Sequence, residues 1–396
     1  MQEWLVGPTN QFRPTTSRAE LSEILNRIDE LSIRLGQYCY VMVGATVHSK
    51  DGVTFKKGDV VSKTPIGNAK RFFDGKTLQR YEIRYDGRFL DYRRDEMYGP
   101  RVPELFDNPK IVVRDITAKN EKLIVSYDDE GLYCDHLVTC VTYYKNIEDT
   151  SAQADFEGYP RITSQLPDLP YTLAIIASSL IAWYFREIFA TGTLQGSYSH
   201  TYPKQVRDFP IRRISFTTPA PERARLVAEL QQLYAEGKHD EILAGVESLL
   251  PKDEAGNFIT EQEKSDVVHD LLAFLAERML EMNKQKQQEI RGFLDWLEGY
   301  LGAKIEDLKP KTKILSYYES DYESLLAVLK KNKKRLAVDP SRREPGELMR
   351  AEFEGSMSKL GPLRERIEET DELIDAVVYR LYGLTDEEIE IVEGKA

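Results

Sequence analysis

The sequence predicts an α+β protein in which a β-rich domain is followed by an α-helical domain with a long helical hairpin. Three observations carry this reading. Short β-branched and aromatic runs, separated by Asp-Gly, Gly-Asn and Lys-Asn turn signals, fill residues 37–165. From Pro170 the apolar period changes from two to the three-and-four step of a helix. Charge divides in the same sense: residues 1–220 hold 28 Lys and Arg against 28 Asp and Glu, and residues 221–396 hold 26 against 38, so the net charge of −12 belongs to the helical part. The expected domains are an N-terminal helical segment 1–36, a β-rich domain 37–219 that includes a helix at 171–189, and an α-helical domain 220–396.

The elements follow in order. Ser17-Arg-Ala-Glu20 is a capping box, and Leu21, Ile24, Leu25, Ile28, Leu31 and Leu35 form one stripe, which predicts a helix stopping at Gly36. YCYVMVGATVHS, DVVSKTPI, LQRYEIRY, KIVVRDIT, KLIVSYD and LVTCVTYY read as strands of a partly antiparallel sheet domain. Leu173, Ile176, Ala177, Leu180, Ile181, Tyr184 and Phe185 predict one buried helix over 171–189. Pro-led text then predicts a helix ending at Gly237. Thr260-Glu-Gln-Glu263, Ser320-Asp-Tyr-Glu323 and Thr385-Asp-Glu-Glu388 are three further capping boxes. A final helix from about Gly346 to Tyr382 carries Leu363, Ile367, Thr370, Ile374, Val377, Val378 and Leu381 on one stripe. Long charged helices of this kind predict an internally packed hairpin ahead of a coiled homodimer.

Composition and motifs exclude more than they assign. With 41% hydrophobic and 30% charged residues the chain reads as an ordinary globular protein. The N-terminus lacks a basic segment followed by an apolar run, and no run approaches the ~18 apolar residues of a membrane helix, so a cytoplasmic protein without a membrane partner is expected. Cys39, Cys134 and Cys140 lack metal-ligand spacing and read as buried free thiols. Phosphate-binding Gly loops, dinucleotide fingerprints, H-E-x-x-H and G-x-S-x-G do not occur, and the five histidines are scattered singly, so no catalytic or metal site is assigned. Asp107, Asp115, Glu121 and Lys122 are the nearest approach to a metal-nuclease set, at generic spacing. Residues 50–101 carry 13 basic and 8 acidic side chains interleaved with aromatics, which suits phosphate neutralisation and base packing as well as it suits a solvated sheet face. The loop Thr191–Ile211, TGTLQGSYSHTYPKQVRDFPI, offers donors at its tip and an apolar exit around Pro210.

Three stretches taken together, residues 90–117, 171–211 and 369–394, resemble the target-recognition region and helical tail of adenine-specific DNA methyltransferases in single-chain restriction-modification enzymes, which are related in layout to type I specificity subunits. The likeness spans about nine tenths of the chain, least over residues 1–37. It implies recognition of double-stranded DNA, with Arg and Lys meeting G edges or phosphates and Asn reading A. The positions concerned are Lys63, Asn68, Lys70, Arg71, Arg80, Arg84, Arg88, Arg93, Arg94 and Arg101, then Tyr198, His200 and Lys204; Arg114 either joins them or braces its strand. Such methyltransferases grip the flipped base with an Asx-Pro-Pro-aromatic loop and bind S-adenosylmethionine at a Gly-rich strand end. Neither motif occurs here: Asn108-Pro109-Lys110 and Asp339-Pro340-Ser341 are the closest text. The resemblance therefore implies a specificity part in restriction-modification or phage defence. S-adenosylmethionine, and Mg where a nuclease is attached, would belong to a methyltransferase partner. A protein-interaction scaffold, and a fragment of a larger methyltransferase-nuclease, are the alternatives.

Overall fold

A computed structural model describes residues 5–6, 12–13, 19–117, 122–152, 160–189 and 200–395. Its contacts divide the chain into two compact units, residues 1–280 with 371–396, and residues 281–370. The architecture is α+β, β-rich in the N-terminal region and helical in the C-terminal region.

Four antiparallel strands centre the first unit in the order Val125–Asp128, Lys110–Arg114, Val138–Tyr143 and Cys39–Val43. Ile111, Val112 and Val113 are fully buried in succession, as a strand covered on both faces requires. A second sheet runs Tyr133–Cys134, Ala69–Phe73, Phe89–Asp91 and Val61–Ser62. Phe72, Phe73, Leu90 and Tyr133 from this sheet share one core with Val112, Val138 and Cys140 from the other. Each such aromatic contributes about 1.5–3 kcal/mol by leaving water. All three cysteines are buried and free. Lys110 is buried at the base of this core, bonded to Asp128 and to the Phe106 carbonyl.

Tertiary pairing overrides two local patterns. The first helix spans Ala19–Glu30 and does not continue to Gly36. Ser32–Arg34 leaves it to pair antiparallel with Pro210–Arg212, which buries Ile33 and Ile211 together. Likewise the predicted 171–189 helix is two helices, Leu169–Ala177 and Ser179–Phe189, bent by 64° at Ser178. Ser178 Oγ donates to the Ile175 carbonyl at 2.7 Å and accepts from Ile181 N at 3.3 Å, so one hydroxyl closes the first helix and opens the second. Among the described residues no single helix is long and apolar enough to cross a membrane.

Capping text is followed unevenly. Thr385 caps Asp386–Val392, its side chain accepting from Glu388 N. Ser320 is displaced by one residue, because Asp321 caps Tyr322–Lys331 by accepting from Ser324 N. Thr260 caps nothing: the helix begins at Ser265, and Glu263 instead receives Arg212 at 2.8 Å with both side chains buried. Ala220–Ala235 runs as expected, with Gly237 beyond its end at φ 73°.

The apolar exit of the Thr191–Ile211 loop is structural. Phe209 and Ile211 are fully buried; Tyr382 Oη donates to the Pro210 carbonyl at 2.9 Å and accepts from Arg212 N at 2.8 Å.

The unit 281–370 has its own core. Ile290, Phe293 and Leu297 of the helix Ser265–Leu301 pack with Met349, Phe353 and Leu360 of the helix Arg343–Leu381, and Tyr317, Leu325 and Leu329 fill the space between. Lys359 Nζ meets Glu289 at 3.0 Å while Phe293 meets Phe353 with ring centroids 6.2 Å apart, so these helix portions run antiparallel, an internally packed hairpin.

Glu263 and Arg212 form a buried pair whose partners are also hydrogen bonded to Ser265 and to the Leu381 carbonyl. Glu263→Ala is expected to cost about 3–5 kcal/mol in urea unfolding, and Arg212→Met added to Glu263→Met to recover most of it, because the single change strands a buried cation. A single-variant cost no larger than that of an exposed pair, about 0–1 kcal/mol, would contradict this account.

Candidate nucleic-acid interface

Polar side chains gather at two ends of the β-rich region. At one, residues 63–68 leave Val61–Ser62 and return into Ala69–Phe73; both strands pair antiparallel with Phe89–Asp91, Ser62 opposite Phe89 and Ala69 opposite Asp91, so the loop crosses the middle strand from its Phe89 end to its Asp91 end. All six residues are exposed, including Lys63, Ile66 and Asn68. The loop is nevertheless held firmly. Buried Asp91 accepts from Asn68 N at 2.9 Å and from Arg93 Nε at 2.7 Å, and Asn68 Nδ2 donates to the Tyr92 carbonyl at 3.2 Å. Gly67 takes φ 52°, and a Cβ there would lie 2.2 Å from Asp91 Oδ1. Beside this turn Arg94 donates to Ser151 Oγ at 2.8 Å, and Arg94 and Arg101 line an open cleft of about 330 Å³ with Tyr40, Met42 and Pro100.

Four turns meet at the other end. Asp115 N donates to the Leu137 carbonyl at 2.9 Å, and Thr201 donates through N to the Asp115 carbonyl at 2.7 Å and through Oγ1 to the Arg114 carbonyl at 2.6 Å. A Cβ on Gly75 would sit 3.3 Å from that of Leu137, which brings in the 74–76 turn. His200 Nδ1 lies 3.1 Å from Asp115 Oδ2, and its ring stacks on exposed Tyr202, centroids 5.9 Å apart. Lys204 is exposed in the short helix Pro203–Arg207. Tyr198 lies outside the described residues.

The remaining arginines are largely self-neutralised. Arg84 Nε meets Glu82 at 2.8 Å, Arg88 Nε meets Asp86 at 2.8 Å, and Arg93 Nε meets Asp91 at 2.7 Å. A signal for this stands in the sequence: Glu82-Ile83-Arg84, Asp86-Gly87-Arg88 and Asp91-Tyr92-Arg93 repeat acid and arginine two positions apart, near enough for each pair to meet. Arg71 is paired with Glu130 at 2.8 Å and lies over the Tyr85 ring, and Lys70 lies over the ring of Tyr133. Arg80 faces elsewhere, tied to the Ala177 carbonyl and to Asp371. Among the described residues Lys63, Lys70, Arg94, Arg101, Arg114 and Lys204 have no carboxylate partner. The set Asp107, Asp115 and Lys122 is not brought together: Asp115 faces His200, and Lys122 bridges Asp371 and Asp375 at 3.2 Å each; Glu121 lies outside the described residues. Among the described residues no three His, Cys, Asp or Glu side chains could hold a metal ion.

Comparison with known proteins bears on the same region. Residues 70–211 match the TaqI-like C-terminal specificity domain, and residues 262–378 match a domain family of unknown function, DUF8810. Residues 70–211 are thus a target-recognition region of the restriction-modification kind. No curated protein matches the chain. A solved structure, that of the Type IIL restriction-modification enzyme MmeI in complex with DNA, matches at 9% identity and a TM-score of 0.28, over 61% of this chain and 33% of that one, a likeness too slight to argue from.

Two consequences are measurable. Gly67→Ala is expected to cost about 1–3 kcal/mol, from both its positive φ and the Asp91 contact; an unchanged melting midpoint would show that Asp91 does not hold the loop. At Asp74, burial opposes ionisation, but the hydrogen bond and charge of Arg88, aided by Lys57, outweigh it and hold the carboxyl below its ordinary value of 3.8. A depressed carboxyl stabilises the fold above the ordinary value, and that stability is lost as pH falls through the folded-state value. Asp74→Asn is therefore expected to destabilise at neutral pH and to leave a shallower acid limb below 3.8; an equal loss at both ends of the range would refute the assignment.

Proposed function

We propose that this chain reads a specific double-stranded DNA sequence for a restriction-modification system, on behalf of an adenine-specific methyltransferase whose active site lies outside it. The observation that carries the reading is the match of residues 70–211 to a specificity domain. Geometry supports it in one particular: the 63–68 loop is exposed and braced, so a contact made by its tip costs little ordering entropy. Asn68 gives one Nδ2 hydrogen to the Tyr92 carbonyl and keeps the other beside its Oδ1 acceptor, a pair that suits an adenine edge; Lys63 suits guanine, and Ile66 suits a thymine methyl group. Arg94, Arg101, His200, Tyr202 and Lys204 supply phosphate contacts, which position the duplex and carry no sequence information. The reaction itself, with S-adenosylmethionine and any Mg, belongs to the partner, and the setting is phage defence in the cytoplasm.

Binding of labelled duplexes by the chain together with its methyltransferase, measured across a salt series, tests the reading. Affinity is expected to fall steeply with salt, and Asn68→Ala to relax preference at one base position by about 1–3 kcal/mol. Arg94→Glu is expected to weaken all sequences alike. Binding that is indifferent to salt and sequence overturns the proposal.

A further inference from the structure

Among the described residues, the densest run of basic side chains without an ion pair does not lie in the β-rich region. Within residues 281–370 there are 18 Lys and Arg against 17 Asp and Glu, while the rest of the chain holds 36 against 49. Residues 330–343 alone hold seven basic side chains against one acidic one, Asp339. Lys330, Lys331, Lys333 and Lys334 are all exposed, and among the described residues none has a carboxylate within ion-pair distance. Arg335 adds a guanidinium bonded to the Asp307 carbonyl, and Arg343 is offset by Glu347 at 2.7 Å. The contrast with Arg84, Arg88 and Arg93 is informative: a cation already held by a neighbouring carboxylate must give up that partner to bind another anion, whereas these lysines are in no ion pair, Lys333 acting on the Asp339 carboxylate only from beyond ion-pair distance.

The cluster is also built on a fixed base. Asn332 is buried between the lysine pairs; its Nδ2 donates to the Lys309 carbonyl at 2.7 Å and to the Val328 carbonyl at 2.9 Å, and its Oδ1 accepts from Lys309 N at 3.0 Å. Exposed Lys309 is tied to the same turn through this clamp, and it has no carboxylate partner among the described residues. Ala337 N donates to the Leu301 carbonyl at 2.9 Å, and Leu329 and Leu308 lie in the core directly beneath. Next to it an open cleft of about 490 Å³ is lined by Lys333, Lys334, Leu336, Asp339, Arg342 and Pro345. The Asp339 carboxylate in this lining is taken up by Ser341 N at 2.9 Å.

We infer that the Lys330–Lys334 turn is a second nucleic-acid contact, which takes the phosphodiester backbone of a duplex without reading its bases. A row of exposed ammonium groups on a fixed turn favours phosphate over an acidic protein surface, because backbone phosphates present charge at fixed short intervals, one per ~1.7 Å of duplex axis, and release condensed counterions when neutralised. The absence of aromatic rings from residues 323–343 leaves no platform for stacked bases, so a duplex suits the site better than a single strand. The choice of nucleic acid rests on the DNA-recognition reading above.

The test uses the full chain with all four lysines changed to Gln, substitutions at exposed positions that leave the core intact, with thermal melting as the check on folding. On duplex DNA of random sequence the slope of log affinity against log salt is expected to lessen by about 3 to 4, at roughly 0.9 per phosphate contact, with affinity at low salt falling at least tenfold. Lys330→Arg, Lys331→Arg, Lys333→Arg and Lys334→Arg together are expected to restore both. An unchanged slope in the Gln variant overturns the inference, as does polyglutamate competing as well as DNA at equal charge. The two readings fail differently: wild-type binding through these lysines without sequence preference refutes base reading alone, whereas preference retained with an unchanged salt slope in the Gln variant refutes the lysine site alone. No DNA binding at all refutes both.

Discussion

Two aspartates near the end of the chain hold together elements that are distant in sequence. Asp375 accepts from Ser179 N at 2.7 Å and from Ser179 Oγ at 2.6 Å, so it caps the helix Ser179–Phe189 from outside. Asp371 receives Arg80, and both aspartates receive Lys122. Arg80 also closes the other half of the bent helix by donating to the Ala177 carbonyl. An anion at the N-terminus of one helix and a cation at the C-terminus of the other both agree with the helix dipoles. Arg80 stands in a tight turn between Leu78–Gln79 and Glu82–Ile83, where Tyr81 takes φ 57°, unusual for a large side chain. That turn is fixed by buried packing of Tyr81 and by Tyr81 N donating to the Val125 carbonyl at 2.7 Å.

The same logic orders the candidate interface. Asp91 is to the 63–68 loop what Asp375 is to the bent helix: one carboxylate satisfies backbone and side-chain donors from separate turns. An arginine used in this way is no longer available to a phosphate. Interface and brace therefore divide the basic residues between them, and Arg80, Arg84, Arg88 and Arg93 stand with the brace, while Lys63, Arg94 and Lys204 remain open to solvent.

How far the sequence discloses this depends on the range of the interaction. The Thr385–Glu388 capping box is complete within one turn and forms as read. The Thr260–Glu263 text obeys the same rule and fails, because Glu263 meets a buried arginine 51 positions away. Residues 171–189 show unbroken helical periodicity, and the helix that follows the bend at Ser178 is capped by Asp375, nearly 200 residues later. Strand content was legible, since β-branched runs and turn residues act locally, yet Ala69–Phe73 and Phe89–Asp91, which position the exposed loop, are too short and too charged to stand out. The apolar exit at Phe209–Ile211 was legible for the opposite reason: two large apolar residues around a proline have few places to be but the core.

Charge shows most clearly why a total misleads. Counted by halves, the C-terminal part looks unable to approach a polyanion, since it holds the whole excess of acid. At physiological ionic strength, however, exposed charges are screened beyond about 8 Å, so a phosphate at the Lys330–Lys334 turn responds to those lysines and hardly at all to distant carboxylates. The acidic remainder still has an effect at lower salt, where it opposes indiscriminate binding along the rest of the surface. For the proposed search for one sequence among many duplexes, few cationic contacts on a fixed turn would give a foothold on any of them, and the acidic excess elsewhere in the chain would keep the foothold from becoming a trap.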